Sequence, residues 1–335
     1  MNKPLNLDSR NSVSSRLSFR DEHPNLGDGR DEILAGLALS QKSVNPKWFY
    51  DQRGSELFDE ITRLPEYYPT RTESMILKEN RESIAQFCGA DSVFIEPGSG
   101  SSEKVRILLD ALQPDVYVPV DISADFLWQS AQALGDEYPW LDIFAVCADF
   151  NAGWGFLDEL SASRRVVFYP GSTIGNLAPT QAQDFLCKVA EVVGSDGGIL
   201  IGVDTHKASD RLHAAYNDSA GVTAQFNLNV LRRMNTLLDG NFDESAFSHR
   251  AFYNEDLRRI EMHLVSDTAQ QVQCGGLTFD FAKGETIHTE CSYKYSLDAF
   301  ARLASSAGLD VVHTWQDDDA LFSVHYLRSC NGECD

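Results

Sequence analysis

The stretch Val93-Phe94-Ile95-Glu96-Pro97-Gly98-Ser99-Gly100-Ser101-Ser102-Glu103-Lys104 decides the fold. It reads as a buried strand, a turn of small residues and the start of a helix. The helix carries an apolar stripe through Val105, Leu108, Leu109 and Leu112. Glycine at 98 and 100 permits positive φ and lets the backbone approach a ligand closely. In open α/β sheets such a ligand lies beyond the carboxyl ends of the strands. Taken alone, the loop is equally consistent with a tight turn that binds nothing.

Working outward, short apolar runs recur at 92–95, 116–120, 143–146, 166–169 and 199–203, with helical patterns between them. After Pro179, Thr180 and Gln183 have capping-box spacing, and Phe185, Leu186, Val189 and Val193 follow on one face. This alternation predicts a parallel sheet covered by helices on both faces. Upstream, Leu57, Phe58, Ile61 and Leu64 have helical spacing that ends at Pro65, and 65–70 reads as an ordered loop. Downstream of Thr205 the pattern changes. One long helix is predicted over about 207–240, then a meander over 251–281, then a helix and strands from 293, with 321–327 antiparallel to a neighbour.

Composition bounds the function. The chain has 335 residues, enough for two domains, and 43% of them are hydrophobic, as in ordinary globular proteins. Its 50 acidic and 28 basic residues give a formal charge of -22. Such a surface repels phosphate backbones and anionic lipid, so neither nucleic acid nor membrane is an expected partner. Seven scattered cysteines, an odd count, argue against a disulfide framework. The histidines show no zinc spacing, and no metal is expected. No signal-peptide core and no long apolar run occur, so a cytoplasmic location is expected; a monomer is expected as well. Residues 1–30 are polar and read as a flexible tail.

Two acids narrow the ligand of the glycine loop. Asp121 closes the strand after the loop, where a carboxylate can accept both ribose hydroxyls of an adenosine. Asp149 and Phe150 close the next strand and suit a polar contact to the adenine amine beside an apolar face. A nicotinamide dinucleotide would call for a third glycine, G-x-G-x-x-G, but Glu103 stands there. A negative charge facing a pyrophosphate is unfavourable, whereas S-adenosylmethionine has no phosphate.

Several longer motifs carry a family resemblance. They are Trp48-Phe49-Tyr50-Asp51, Gly54-Ser55-Glu56-Leu57-Phe58 and Leu64-Pro65-Glu66-Tyr67-Tyr68-Pro69-Thr70-Arg71, then the segment from Glu96 to Lys104. Gly171-Ser172-Thr173-Ile174-Gly175-Asn176-Leu177, Gly221-Val222-Thr223-Ala224-Gln225-Phe226-Asn227, Ile260-Glu261-Met262 and Thr289-Glu290-Cys291-Ser292 follow. Together they resemble the histidine-specific Nα-methyltransferase family of ergothioneine biosynthesis, over roughly residues 33–327.

The resemblance implies an α/β fold: a Rossmann-like class I methyltransferase sheet with a second α+β substrate-binding domain. It implies a discontinuous substrate domain of 31–71 plus 206–292, and a donor domain of 72–205 plus 293–335. It implies donor contacts from Gly98, Lys104, Asp121, Asp149 and Phe150. It places the substrate against Tyr50, Tyr67, Asn176, Tyr216, Met262, Glu290 and Ser292, with Tyr50 and Asn176 at the reacting amine. Asn176 and Tyr216 would hold the amino-acid head group, and Glu290 and Ser292 the imidazole. Pro97 departs from the family pattern and stiffens the turn. Relatives of this family also methylate other amino acids such as tryptophan, but Met262 and Glu290 together point to histidine.

The chemistry of these residue types agrees. Methyl transfer is a direct displacement, so the protein must align amine, methyl and sulfur and keep the amine neutral at attack. An amide such as Asn176 and phenols such as Tyr50 and Tyr67 can orient an amine without trapping it as ammonium. Imidazole offers two distinct nitrogens. In an extended segment, Glu290 and Ser292 point to one face and can meet both.

Overall fold

The computed structural model describes residues 16–22, 26–150, 153–160 and 164–330. The chain begins with β1 (Leu17–Asp21), α1 (Leu26–Leu37), β2 (Lys42–Ser43), α2 (Gln52–Thr62) and α3 (Tyr68–Cys88). An alternating section follows: β3 (Val93–Pro97), α4 (Glu103–Leu112), β4 (Val116–Asp121), α5 (Ala124–Glu137), β5 (Asp142–Cys147), β6 (Arg165–Tyr169), α6 (Pro179–Val193) and β7 (Gly198–Asp204). Then come α7 (Ser209–Tyr216), α8 (Val222–Leu238), β8 (Phe247–Asn254), β9 (Arg259–Ser266), β10 (Gln270–Cys274), β11 (Leu277–Phe281) and β12 (Thr286–Tyr293). The chain closes with α9 (Leu297–Ser306), β13 (Leu309–Gln316) and β14 (Phe322–Ser329).

The main sheet has eight strands in the order β1-β5-β4-β3-β6-β7-β14-β13. Pairings from β1 through β7 are parallel, and β14 runs antiparallel to both β7 and β13. Strand β3 alternates its side chains between two cores. Val93 and Ile95 join a cluster with α6 residues such as Phe185 and Leu186, while Phe94 joins Leu108 and Leu109 of α4 on the opposite face. Both faces are therefore covered, as the apolar runs predict. From β3 the chain steps to β4 and β5 on one side, then crosses back to β6 on the other side of β3. That is where doubly wound sheets open a crevice.

A second, four-stranded sheet has the order β2-β12-β9-β8, with β10 and β11 forming a separate hairpin. Its apolar core gathers Phe49, Leu57 and Tyr68 from the early chain with Phe226, Met234, Met262 and Leu264 from the later segment. Helix α8 is pinned to this sheet through the fully buried Asn227. Its Nδ2 donates to the carbonyl of His263 at 3.1 Å, and its Oδ1 accepts from Thr289 Oγ1 at 2.7 Å.

Four local expectations are corrected. Residues 17–21, assigned to a tail, are the edge strand β1, parallel to β5, and α1 starts before residue 31; residues 1–15 lie outside the described residues. Tyr68 and Pro69 begin helix α3 rather than ending a loop, since proline in a first turn loses no intrahelical hydrogen bond. The helix expected over 207–240 is broken: the Asp218 carboxylate accepts from the backbone N–H groups of Val222 and Thr223, both at 2.8 Å, and so starts α8 afresh. Helix α6 is capped two residues earlier than Thr180 suggests, with Ala178 N donating to Gln181 Oε1 at 3.1 Å. Gln183 instead donates to the Ser306 carbonyl.

Candidate active site

The glycine loop leaves β3 with positive φ at Gly98 (69°) and Gly100 (52°), as glycine allows. Gly98 N and Ser99 N both donate to the Val120 carbonyl, at 2.7 and 3.1 Å, and so tie the loop to β4. A Cβ at Gly100 would meet nothing within 4 Å, so the crest of the loop faces open space. Asp121 closes β4 and accepts from Gly100 N at 3.0 Å and Ser123 N at 2.9 Å. Burial raises its pKa, and those backbone donors oppose the rise. The Phe150 ring lies over the loop, 3.8 Å from where a Gly98 Cβ would be, and is edge-on to Tyr169 and Phe185.

Asp149 stands beside Phe150, with Oδ2 3.4 Å from Lys47 Nζ; Lys47 also pairs with Glu32 at 2.7 Å. The Ser99 hydroxyl is buried with no protein partner. Open space over the loop, an orphaned hydroxyl, a ribose-suited carboxylate and an aromatic wall together fit an adenosine-bearing donor. Lys104 is not a bare charge. Its Nζ lies 2.5 Å from Glu73 Oε2, and the Glu73 carboxylate also accepts from Gly171 N at 2.9 Å. Glu103 corrects an expectation: its side chain is 70% exposed and 3.6 Å from Arg106. It turns to solvent, so the exclusion of a pyrophosphate does not rest on it.

The adjoining pocket is aromatic. Tyr50 ends a 3-10 turn, Pro46–Phe49, and its carbonyl accepts from Ser123 Oγ at 2.9 Å, which joins it to the end of β4. Its ring meets Phe58 and Phe226 edge-on at 5.7 Å; Tyr67 meets Phe58 at 6.4 Å and Tyr216 at 6.3 Å. Burial pushes the Tyr50 phenol well above its usual range, and the nearby charges of Glu290 and Asp121 push it further. Tyr67 is raised the same way, by burial and then by Tyr216 and Glu290. Both phenols stay protonated at neutral pH, so they act as hydrogen-bonding groups and not as bases.

Glu290 lies on β12 directly opposite Met262 of β9. The register shifts between His288 and Glu290, so Thr289 forms a bulge that re-aims the next side chain. Burial pushes the Glu290 carboxyl up to about 7, against the lowering effect of Lys294. Ser292, on the same face, accepts from Lys294 Nζ at 2.7 Å. That ammonium also pairs with Asp204 Oδ2 at 2.7 Å and lies 3.4 Å from the Tyr216 hydroxyl. Asn176 sits on a second 3-10 turn, Thr173–Asn176. A Cβ on its neighbour Gly175 would lie 2.8 Å from the Tyr293 carbonyl, so the turn packs against the backbone of β12.

Tyr50, Tyr67, Tyr216 and Glu290 thus share one neighbourhood, with Met262 and Ser292 on the sheet beneath. Gly98, Asp121 and Phe150 lie at the adjoining strand ends. Sequence reasoning missed Asp204, which ends β7 fully buried and accepts from Tyr68 OH at 2.7–2.8 Å. Burial alone would raise its pKa, but Lys294 and Lys207 hold the carboxyl below its usual value. An acid closing a strand, as Asp121 does, was the available signal. Sequence spacing also hid Glu261, His263 and His288, whose ligand atoms lie within 4.8 Å of one another.

A switch-point crevice with a glycine loop, a strand-end carboxylate and an adjoining aromatic pocket defines a methyl-donor-dependent α/β transferase. Across residues 29–329 the chain matches the family described as histidine-specific, SAM-dependent methyltransferase, and it belongs to that family. It is 45% identical over 301 residues to "Histidine N-alpha-methyltransferase" of Mycolicibacterium smegmatis, covering 88% of this chain and 93% of that protein. It is 44% identical over 322 residues to the protein of the same name from Mycobacterium tuberculosis, covering 94% and 98%. "Ergothioneine biosynthesis protein 1" of Neurospora crassa is 31% identical over 286 residues, covering 79% of this chain and 31% of that longer protein.

Proposed function

We propose that this chain methylates the α-amine of L-histidine three times to give hercynine, an early step of ergothioneine biosynthesis. The observation that carries the substrate is Glu290, a buried carboxylate facing Met262 at the floor of an aromatic pocket. A carboxylate there leaves an apolar side chain with an unmet buried charge, whereas an imidazole N–H satisfies it. The family and the two 44–45% identical relatives support the same substrate.

Gly98, Asp121, Asp149 and Phe150 would hold S-adenosylmethionine, with Lys104, already paired to Glu73, at its charged end. The donor supplies a methyl group on a sulfonium centre. The chain's own residues do the rest. Tyr50 and Asn176 orient the amine, and Tyr67 and Tyr216 flank it with rings. A dry aromatic wall disfavours the ammonium form and so favours the neutral nucleophile. The same rings tolerate the fixed cation of the product. Glu290 and Ser292 hold the imidazole at the far end. Ser292 already accepts a hydrogen bond from Lys294, so its own proton is available for an imidazole nitrogen.

We take 31–71 plus 206–292 as the substrate domain and 72–205 plus 293–335, joined by strand β1, as the donor domain, acting as a cytoplasmic monomer. No helix among the described residues is long and apolar enough to cross a membrane. The test is incubation with S-adenosylmethionine and each of the twenty amino acids, read by mass. A gain of three methyls on histidine is expected. Methylation of a different amino acid with histidine untouched would overturn the assignment.

A further inference from the structure

We propose that the back of the substrate sheet carries a binding site for a divalent, borderline-soft transition cation of the zinc class, built from Glu261, His263, His288 and Cys291. Strands β9 and β12 pair Cys291 with Glu261 and His288 with His263, and directly paired residues share a face. Alternation sends Met262, Glu290 and Ser292 to the substrate side and these four to the other. The site is therefore distinct from the pocket, and it stands whether or not the substrate reading above holds.

The donors are close. Glu261 Oε2 lies 3.0 Å from His263 Nε2, and Cys291 Sγ lies 3.3 Å from His288 Nε2. The two imidazoles stack at 4.7 Å between centroids. In a tetrahedral zinc site, bonds of about 2.0–2.3 Å set donor atoms about 3.3–3.8 Å apart. One ligand atom each from Glu261, His263 and His288 already fits within 4.8 Å; Cys291 stands outside that set and, like the His288 ring, whose Nε2 also meets the Glu290 carbonyl at 3.1 Å, must rotate to complete the site. Glu261 and His263 are more than nine-tenths buried, His288 and Cys291 are half-buried, and the cluster therefore opens toward solvent at one side.

The surroundings suit coordination. Arg259 and Asn254 both bond Glu261 through Oε1, at 2.9 and 3.0 Å, so they fix the carboxylate while Oε2 stays turned to the cluster. His263 Nδ1 is buried without a partner, so the ring's hydrogen bonding is incomplete as it stands. Two imidazoles, a carboxylate and a thiolate form a mixed nitrogen, oxygen and sulfur set. That set selects zinc-like cations over magnesium or calcium, which want oxygen alone. Binding displaces the Cys291 proton to solvent, and the thiolate and carboxylate offset the dication in part, since the Arg259 guanidinium already pairs with Glu261 at 2.7 Å. The cation would cross-link β9 to β12 directly behind Met262 and Glu290.

The test uses the full chain, stripped with a chelator and titrated with Co2+ as a spectroscopic probe. One saturable equivalent is expected, with the intense visible bands of four-coordinate cobalt, a sulfur-to-cobalt charge-transfer band, and displacement by Zn2+. His263→Gln and His288→Gln should each weaken uptake at least about tenfold, and Cys291→Ser should remove the charge-transfer band. No saturable equivalent, or uptake unchanged in both histidine variants, would overturn the site. Should the variants fold poorly, the unaltered chain still decides. Saturating zinc should shield Cys291 from alkylation mapped by mass spectrometry, and undiminished labelling would count against the proposal.

Discussion

At the residue scale, Glu290 is the side chain on which histidine recognition turns. It is buried against Met262 and shares its neighbourhood with Tyr50 and Tyr67. A hydrogen bond to a charged group contributes about 1.5–3 kcal/mol, or about ten- to a hundredfold in kcat/KM. Glu290→Ala should lower kcat/KM for histidine by that factor while leaving donor affinity unchanged by calorimetry. Unaltered histidine turnover in this variant would remove Glu290 from the site. Asp204 is a different kind of residue. It bonds Tyr68, Lys207 and Lys294 and so acts through them, holding Lys294 where that ammonium meets Ser292.

At the scale of elements, the bulge in β12 connects helix α8 to the pocket. Asn227 of α8 holds Thr289 at 2.7 Å, and Thr289 is the extra residue that sets the direction of Glu290. Removing the Asn227 side chain takes a partner from the His263 carbonyl and from His249 Nδ1, at about 1–3 kcal/mol for a buried group left unpaired, and frees Thr289 to rest on the Met262 carbonyl alone. Asn227→Ala should raise KM for histidine and speed amide exchange across β12, with the rest of the main sheet unchanged. The sequence carried much of this element-level picture. Apolar runs located β3 through β7, because fully buried parallel strands are nearly continuous in hydrophobic residues. Glu290 and Ser292 were legible through the family resemblance, with which their alternate spacing agrees. The Thr289 bulge was not, because a one-residue insertion in a ladder depends on the partner strand. The Glu261, His263 and His288 cluster escaped for the same reason: its members meet across strands. Asp218 is not legible as a helix start because α7 and α8 have the same helical period, and only its capping bonds separate them.

At the scale of the whole molecule, the donor loop rests on a buried acid whose protonation is linked to folding. Burial pushes the Glu96 carboxyl up to about 8, although a hydrogen bond from Tyr117 opposes the shift. A carboxyl with a raised folded pKa contributes stability that is fully present below its unfolded value, about 4.3. That contribution is lost as pH rises through about 8. Thermal midpoints measured from pH 6 to pH 9 should therefore fall, and Glu96→Gln should flatten the slope. An equal slope in the variant would assign the pH dependence to the general repulsion of a chain with a net charge of -22 instead.

Strand β1 completes one margin of the eight-stranded sheet, laid parallel along β5 with Leu17 opposite Ile143 and Asp21 opposite Cys147. Without it, β5 would present a row of unpaired amides and carbonyls to any passing chain. Residues 17–21 therefore move the open edge onto a strand of five residues that carries Arg20 and Asp21, the short and charged kind of edge that resists strand addition. Deleting the chain through Asp21 should leave the pocket's own residues in place yet produce a protein that clumps on warming. Light scattering during a slow temperature ramp would register this, well before any loss of methyl transfer measured in the cold.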